Sequence, residues 1–199
     1  MTDEDKTYPL PIVTPRLVLR PATLADAEEI THAKKGVWDQ LQLWMSWAYN
    51  GEETHEATLK RFSDPDRKKL DVLLGRCRDT GKIVLFTGIA EDFDAGPDVY
   101  HTGYWVTKDF LGKGYATEGT NAAIRYAFNV LGARKITISY FEGNDKSRKI
   151  IDKLGFQYDH TQEKGKDRCS DGALVDLHSF SMTDKTVLPP LDVSWGTEP

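Results

Sequence analysis

From Arg16 to Arg20 the chain alternates apolar and charged positions, the signature of a half-buried strand. Thr23 then precedes Leu24-Ala25-Asp26-Ala27-Glu28-Glu29-Ile30, a capping residue followed by first-turn acids, which predicts a helix. Leu24, Ala27, Ile30 and Ala33 fall on one face of it. Leu41, Trp44 and Met45 keep helical spacing within Trp38 to Trp47, and Glu52 to Phe62 reads as a further helix stopped near Asp64-Pro65. Asp71 to Arg78 and Ile83 to Ala90 read as strands joined by a turn at Asp79-Thr80-Gly81-Lys82, with Val99 to Val106 as the next strand.

The period then returns to that of a helix from Thr117 to Leu131, closed by Gly132. A β-branched strand, Lys135 to Tyr140, follows. Asn144 or Asp145 caps a short helix that ends at Gly155, and Phe156 to Gln162 with Leu174 to Ser181 form a last hairpin. Residues 1–13 read as an irregular arm, 14–182 as one domain, and 183–199, with Pro189-Pro190, as a tail. The order of elements predicts an α+β (mixed α/β) layer fold, helices on a largely antiparallel sheet.

Composition narrows the class. A chain of 199 residues is long enough for one buried core. With 26 Lys and Arg against 31 Asp and Glu, the net charge of −5 disfavours nucleic acid as a partner. No long apolar run predicts a membrane span, and the polar stretch Met1 to Lys6 does not resemble a signal peptide, so a cytoplasmic protein is expected. Cys77 and Cys169 are far apart and lack metal-ligand spacing, so no metal is expected and neither cysteine is a persuasive nucleophile.

The candidate chemistry centres on Gly103 to Ala116, where a strand runs into a loop in which Gly112 and Gly114 flank Lys113. Bare backbone N–H groups at a helix N-terminus suit a phosphate or pyrophosphate. The loop is not a nucleoside-triphosphate P-loop, because Tyr115 follows Gly-Lys where Ser or Thr is needed. A plain helix entry with flexible glycines is the other reading of the loop.

Four segments in order resemble the GNAT N-acetyltransferase superfamily, and more closely its RimJ/RimL-type branch. They are Gly103-Tyr104-Trp105-Val106, Leu111-Gly112-Lys113-Gly114-Tyr115-Ala116-Thr117-Glu118, Asn144-Asp145-Lys146-Ser147 and Lys153-Leu154-Gly155-Phe156. Thr14 to Pro21 resembles the opening strand of that branch, so the likeness covers residues 14–181. It implies a sheet of about six to seven strands splayed between two central ones, with acetyl-CoA in the gap between the strand ending at Val106 and the strand starting at Lys135. It implies a primary amine as acceptor, either a protein N-terminus or a small molecule, and direct transfer in a ternary complex. Many members of the family are homodimers.

The resemblance also implies roles. Backbone amides of Leu111, Gly112, Lys113, Gly114, Tyr115, Ala116 and Thr117 would hold the pyrophosphate, and Lys113 either adds its charge or is a solvated lysine. A backbone N–H among Trp105, Val106 and Thr107 would polarise the thioester carbonyl. His101 stands where the branch often carries Glu, and is either the base or a strand histidine without that duty. Asn144 would bind the pantetheine arm or serve only as a cap; Ser147 would lie near the sulfur. Trp38, Trp44 and Trp47 would wall the acceptor side or be core rings, and Glu91, Asp92, Asp94 and Asp98 make an acidic loop next to the strand that carries His101, which either attracts a cationic amine or is simply solvated. A noncatalytic acyl-CoA sensor on the same fold is the alternative function.

Overall fold

The computed structural model describes residues 8–49, 54–64, 68–92, 95–167 and 174–196. Among them one sheet of nine strands forms the centre. Its strands are β1 (Ile12–Val13), β2 (Leu17–Pro21), β3 (Leu73–Cys77), β4 (Ile83–Glu91), β5 (Val99–Val106), β6 (Lys135–Phe141), β7 (Gln157–Asp167), β8 (Leu174–Met182) and β9 (Ser194–Trp195). They lie in the order β7-β8-β6-β5-β4-β3-β2-β1-β9. Neighbours run antiparallel except β5 and β6, which are parallel. The helices are α1 (Ala27–Lys35), α2 (Trp38–Trp44), α3 (Ser46–Tyr49), α4 (His55–Phe62), α5 (Tyr115–Tyr126) and α6 (Asp145–Leu154).

Alternation along the strands sorts side chains to two faces. Leu17, Leu19, Leu73 and Leu85 point to the face covered by α5 and α6, where Ala122, Ala123, Ile124, Ile151 and Leu154 complete the main core. Leu74, Ile83 and Phe86 point to the other face and pack with Ile30 of α1 and Phe62 of α4. Gly119 lets α5 lie close on the sheet, since a Cβ there would come within 2.5 Å of Leu85 Cδ2. That close seat fixes the height of the α5 N-terminus beside the end of β5.

The structure departs from the expected pattern in several places. The sheet has nine strands rather than six to seven, because β1 lies in the expected arm and β9 in the expected tail, and the two pair with each other. A two-residue strand carries too little periodicity to be read. The tail is also tied to α5: the Pro189 carbonyl accepts from Asn121 Nδ2 at 2.9 Å and from Arg125 at 3.0 Å. Leu24 is 49% exposed rather than on the buried face, because Leu24–Asp26 is a 3-10 turn and α1 starts only at Ala27. The long helix begins at Tyr115, widens into a π-helical segment at Ala127–Leu131 and stops at Gly132. The described part of α4 is capped by Thr54, whose hydroxyl accepts from Ala57 N–H; residues 50–53 lie outside the described set.

Asp26 ties the start of α1 to the sheet. Its carboxylate accepts two bonds from the Arg20 guanidinium, at 2.6 and 2.8 Å, and others from the Thr23 N–H and hydroxyl. Arg76 of β3 reaches the same carboxylate at 3.1 Å. Burial alone would raise the Asp26 carboxyl, but Arg20 and the Thr23 donors outweigh it and hold the group far below the usual carboxylate range.

Candidate active site

The divergence of β5 from β6 creates the site. The two strands pair only at Val99, Tyr100 and His101 opposite Lys135, Ile136 and Thr137. Beyond Thr137, β6 stays paired with β8 out to Phe141, while β5 stays paired with β4 out to Val106. A cleft of about 1710 Å³ occupies this gap and runs to the α5 N-terminus and to the faces of α1 and α2.

Ladder parity decides which main-chain groups face the gap. The Thr107 N–H bonds the Val84 carbonyl at 2.9 Å, and Val99 O accepts from Asp92 N at 2.8 Å, so odd-numbered residues of β5 turn their amides to β4. Alternation in an antiparallel ladder then directs the amides of Tyr104 and Val106 into the gap. Of the three amides expected at this place, those of Trp105 and Thr107 are directed to β4 and that of Val106 is directed to the cleft. The Trp105 ring instead stacks on Phe86, with centroids 3.9 Å apart and planes 10° from parallel.

Just past β5 the chain turns through Lys108–Phe110 into Leu111, Gly112, Lys113 and Gly114. Gly112 at φ 73° and Gly114 at φ 82° are left-handed, a conformation that costs glycine little and other residues more. These turns bring Leu111, Gly112, Gly114, Tyr115, Ala116 and Thr117 to the cleft wall at the open end of α5. The Lys113 ammonium donates to the Asp109 carbonyl at 2.7 Å and lies 5.5 Å from the Phe110 ring centre, and Lys113 is not among the residues that line the cleft.

Arg16, at the edge of β2, braces this loop from behind. Its Nε meets Glu118 Oε2 at 2.6 Å, its NH1 donates to the Lys113 carbonyl at 3.0 Å, and its guanidinium lies 4.1 Å from the Tyr115 ring centre. Glu118, in the first turn of α5, also accepts from the Thr14 hydroxyl at 2.7 Å and the Arg16 N–H at 3.0 Å. Nothing in the periodicity marks this contact, because about a hundred residues separate its partners in the chain.

On the α5–α6 side of the gap, Tyr104 OH lies 3.0 Å from Ser147 Oγ. Burial pushes the Tyr104 phenol up to about 12, with the Ser147 contact opposing it. Tyr104 therefore keeps its proton through neutral and moderately alkaline pH. Sequence reasoning quoted Tyr104 but gave it no duty; the signal was its parity with Val106. Asn144 caps α6, its Oδ1 accepting from the Ser147 N–H at 3.2 Å. The cap uses only the oxygen, so Nδ2 can donate elsewhere, and Asn144 and Ser147 both line the cleft.

His101 sits at the apex, exposed, where the parallel pairing ends. Its Nδ1 lies 3.2 Å from Thr137 Oγ1, which donates in turn to the Tyr100 carbonyl at 3.4 Å. Trp44 and Trp47 line the cleft together with Met45. Trp38 does not; it packs on the cluster of Val37, Leu41 and Ala48 and meets Trp47 edge to face at 6.4 Å. Glu91 and Asp92 line the cleft, Asp98 lies at the turn into β5 with its carbonyl accepting from Arg134 N–H, and Asp94 lies outside the described residues. Cys77 is buried on β3, and Cys169 lies outside the described residues.

Comparisons with known proteins agree with this fold. The Acetyltransferase (GNAT) domain family matches residues 16–157. A putative ribosomal N-acetyltransferase, YdaF of Bacillus subtilis, is 40% identical over 73 residues, 37% of this chain and 36% of its own. The matched stretches span 36% and 65% of the lengths of two curated relatives. The ribosomal-protein-S5-alanine acetyltransferase of Vibrio fischeri superposes with a TM-score of 0.73 at 20% identity, over 90% of this chain and 100% of that one. RimL, a ribosomal L7/L12 alpha-N-protein acetyltransferase solved with coenzyme A, superposes with a TM-score of 0.74 at 15% identity, over 87% and 97%. The chain belongs to the GNAT acetyltransferase domain family.

Proposed function

From its place in that family, we propose that the protein transfers the acetyl group of acetyl-CoA to a primary amine, by direct attack with both substrates bound. The observation that carries this reading is the Val106 amide, directed into a gap where β5 has lost its partner. Such a donor stabilises the negative charge that grows on the thioester oxygen, typically by about 3 kcal/mol. The glycine loop at the α5 N-terminus, which follows β5 directly, offers its amides to the pyrophosphate. The residues present thus fit both ends of acetyl-CoA.

His101, with its Nδ1 beside the Thr137 hydroxyl, takes the proton of the acceptor ammonium. The new N–C bond forms as the C–S bond breaks. Ser147, hydrogen-bonded to the neutral Tyr104 phenol, gives the departing sulfur a proton and is restored by the second proton, which the acylated nitrogen loses as it becomes an amide. Among the described residues lining the cleft there is no cysteine to carry the acetyl group, and direct transfer needs none. The acceptor favoured by the names of the relatives is a protein N-terminus. Glu91 and Asp92 at the cleft wall suit a cationic amine, and the location proposed is the cytoplasm. The chain contains no described helix long and apolar enough to cross a membrane.

Acetyl-CoA should raise the melting temperature, and a panel of peptide N-termini and small amines should release free thiol. Stabilisation without turnover on any acceptor would favour the acyl-CoA sensor instead. No stabilisation at all would end both readings.

A further inference from the structure

Gly103 is a glycine without a structural reason. Its φ is not among the positive values that single out other glycines of the chain, so backbone conformation does not demand it. A Cβ built there meets nothing within 4 Å, so packing does not demand it either. Its cross-strand partner Gly88 is the contrast: a Cβ on Gly88 would lie 2.2 Å from the Asp71 carbonyl oxygen, so that position must be bare. Glycine also weakens a strand interior, where a side chain would ordinarily be preferred.

The place is defined by its neighbours. Gly103 lies on the strand face shared by His101 and Trp105, two residues away on either side, and it is exposed to the cleft. Residues two apart on a strand are about 7 Å apart, so the vacancy is one side chain wide. The Trp105 ring is fixed flat against Phe86 and cannot swing in without losing that stack. His101, at the other border, is the base of the proposed reaction. An amine delivered to His101 therefore has its own carbon skeleton next to Gly103.

We propose that Gly103 is the specificity-determining residue of the acceptor site: the missing side chain makes room for the substituent on the carbon that bears the amine. The inference rests on the acetyltransferase reading and commits that site to amines on a substituted carbon, such as the N-terminal residue of a peptide. Hydrophobic pockets discriminate by about 10- to 200-fold per methylene-sized change, so one added methyl should be visible in the kinetics.

The test compares wild type, Gly103→Ala and Gly103→Val on two peptides that differ only in beginning with Gly or with Leu. The ratio of kcat/KM, Gly-peptide over Leu-peptide, should rise about ten-fold in the Ala variant and further in the Val variant. Melting temperature should not fall, and the shift caused by acetyl-CoA should match wild type. An unchanged ratio overturns the proposal, as does loss of the acetyl-CoA shift, which would put the thioester arm rather than the acceptor over Gly103. The wild type separates the two levels: turnover by wild type with an unchanged ratio sinks only the role of Gly103, while wild type without turnover on any amine sinks the acetyltransferase reading and this inference with it.

Discussion

Removing the Arg16 guanidinium should loosen the glycine loop and weaken acetyl-CoA binding together. Three contacts are lost in Arg16→Ala: the ion pair with Glu118 at 2.6 Å, the bond to the Lys113 carbonyl at 3.0 Å and the stack on Tyr115 at 4.1 Å. The Arg16 side chain is 42% exposed, which limits the ion pair to about 1 kcal/mol or less. The carbonyl bond contributes about 1 kcal/mol and the exposed cation–π contact about 0.5 kcal/mol. A net loss of about 2 kcal/mol lowers the melting temperature by about 4–8 °C in a chain of this size. The electrostatic consequence is separate. Glu118, with its side chain only 9% exposed, is left as an uncancelled carboxylate in the first turn of the helix that should receive a diphosphate. Calorimetric titration should show acetyl-CoA binding about ten-fold weaker, a change of about 1.4 kcal/mol. The deficit should shrink as salt is raised, because screening reduces the repulsion. Adding Glu118→Gln to the variant should recover part of the affinity but none of the melting temperature. Affinity within about two-fold of wild type at low salt would refute the idea that this pair serves the loop.

Tyr104→Phe removes the phenol that bonds Ser147; kcat should fall by about ten-fold or more while acetyl-CoA still raises the melting temperature as in wild type, as measured by steady-state kinetics beside thermal shift. Tyr126→Phe should stabilise by about 1 kcal/mol in denaturant titration, because the buried Tyr126 hydroxyl has no partner among the described residues. Burial also pushes that phenol up to about 12, so it removes stability as pH rises from about 10 towards 12; the Phe variant should lose less over that range, keeping only the contribution of groups such as Tyr104. Asp26→Asn should cost about 2–3 kcal/mol at pH 7, since it strips a 4%-exposed carboxylate from two arginines. The carboxyl is held below its usual range when folded, so its contribution is complete above about pH 4 and disappears on acidification; unfolding curves of the Asn variant should be flatter over that acid range.

How far the sequence could be read depended on the range of the interaction concerned. Strand alternation in Val99–Val106 and the glycines of the loop are local, and they located β5 and the α5 N-terminus within a residue or two. Asn144 was legible as a cap because capping spans three residues, and the bond to the Ser147 N–H is that cap. Pairing across the chain was not legible. Ile12 and Val13 become a strand only because Trp195 and Ser194 lie beside them. Leu24 fitted the helical period but lies in a tighter turn, where Asp26 bonds back to Thr23 and rotates the start of α1. The odd–even rule that separates Val106 from Trp105 needed one observed bond, from Thr107 N to Val84 O, before parity could be assigned.

The open amides of Tyr104 and Val106 follow from a competition for β6. An unpaired strand edge inside a protein is unfavourable, because each stranded N–H forgoes a bond it would make in water or in a sheet. Here β6 meets β5 at only three positions and β8 at six, so its direction is set by β8. The Tyr104–Ser147 bond then joins β5 to the start of α6 across the floor of the gap, which holds the two strands apart without filling the space between them. Were β6 to remain beside β5 to its end, Val106 would spend its amide on the ladder and no donor would face the cleft. A sheet that closed fully would pair these amides within the ladder; the antiparallel hold of β8 on β6 is what leaves the Val106 amide facing the cleft.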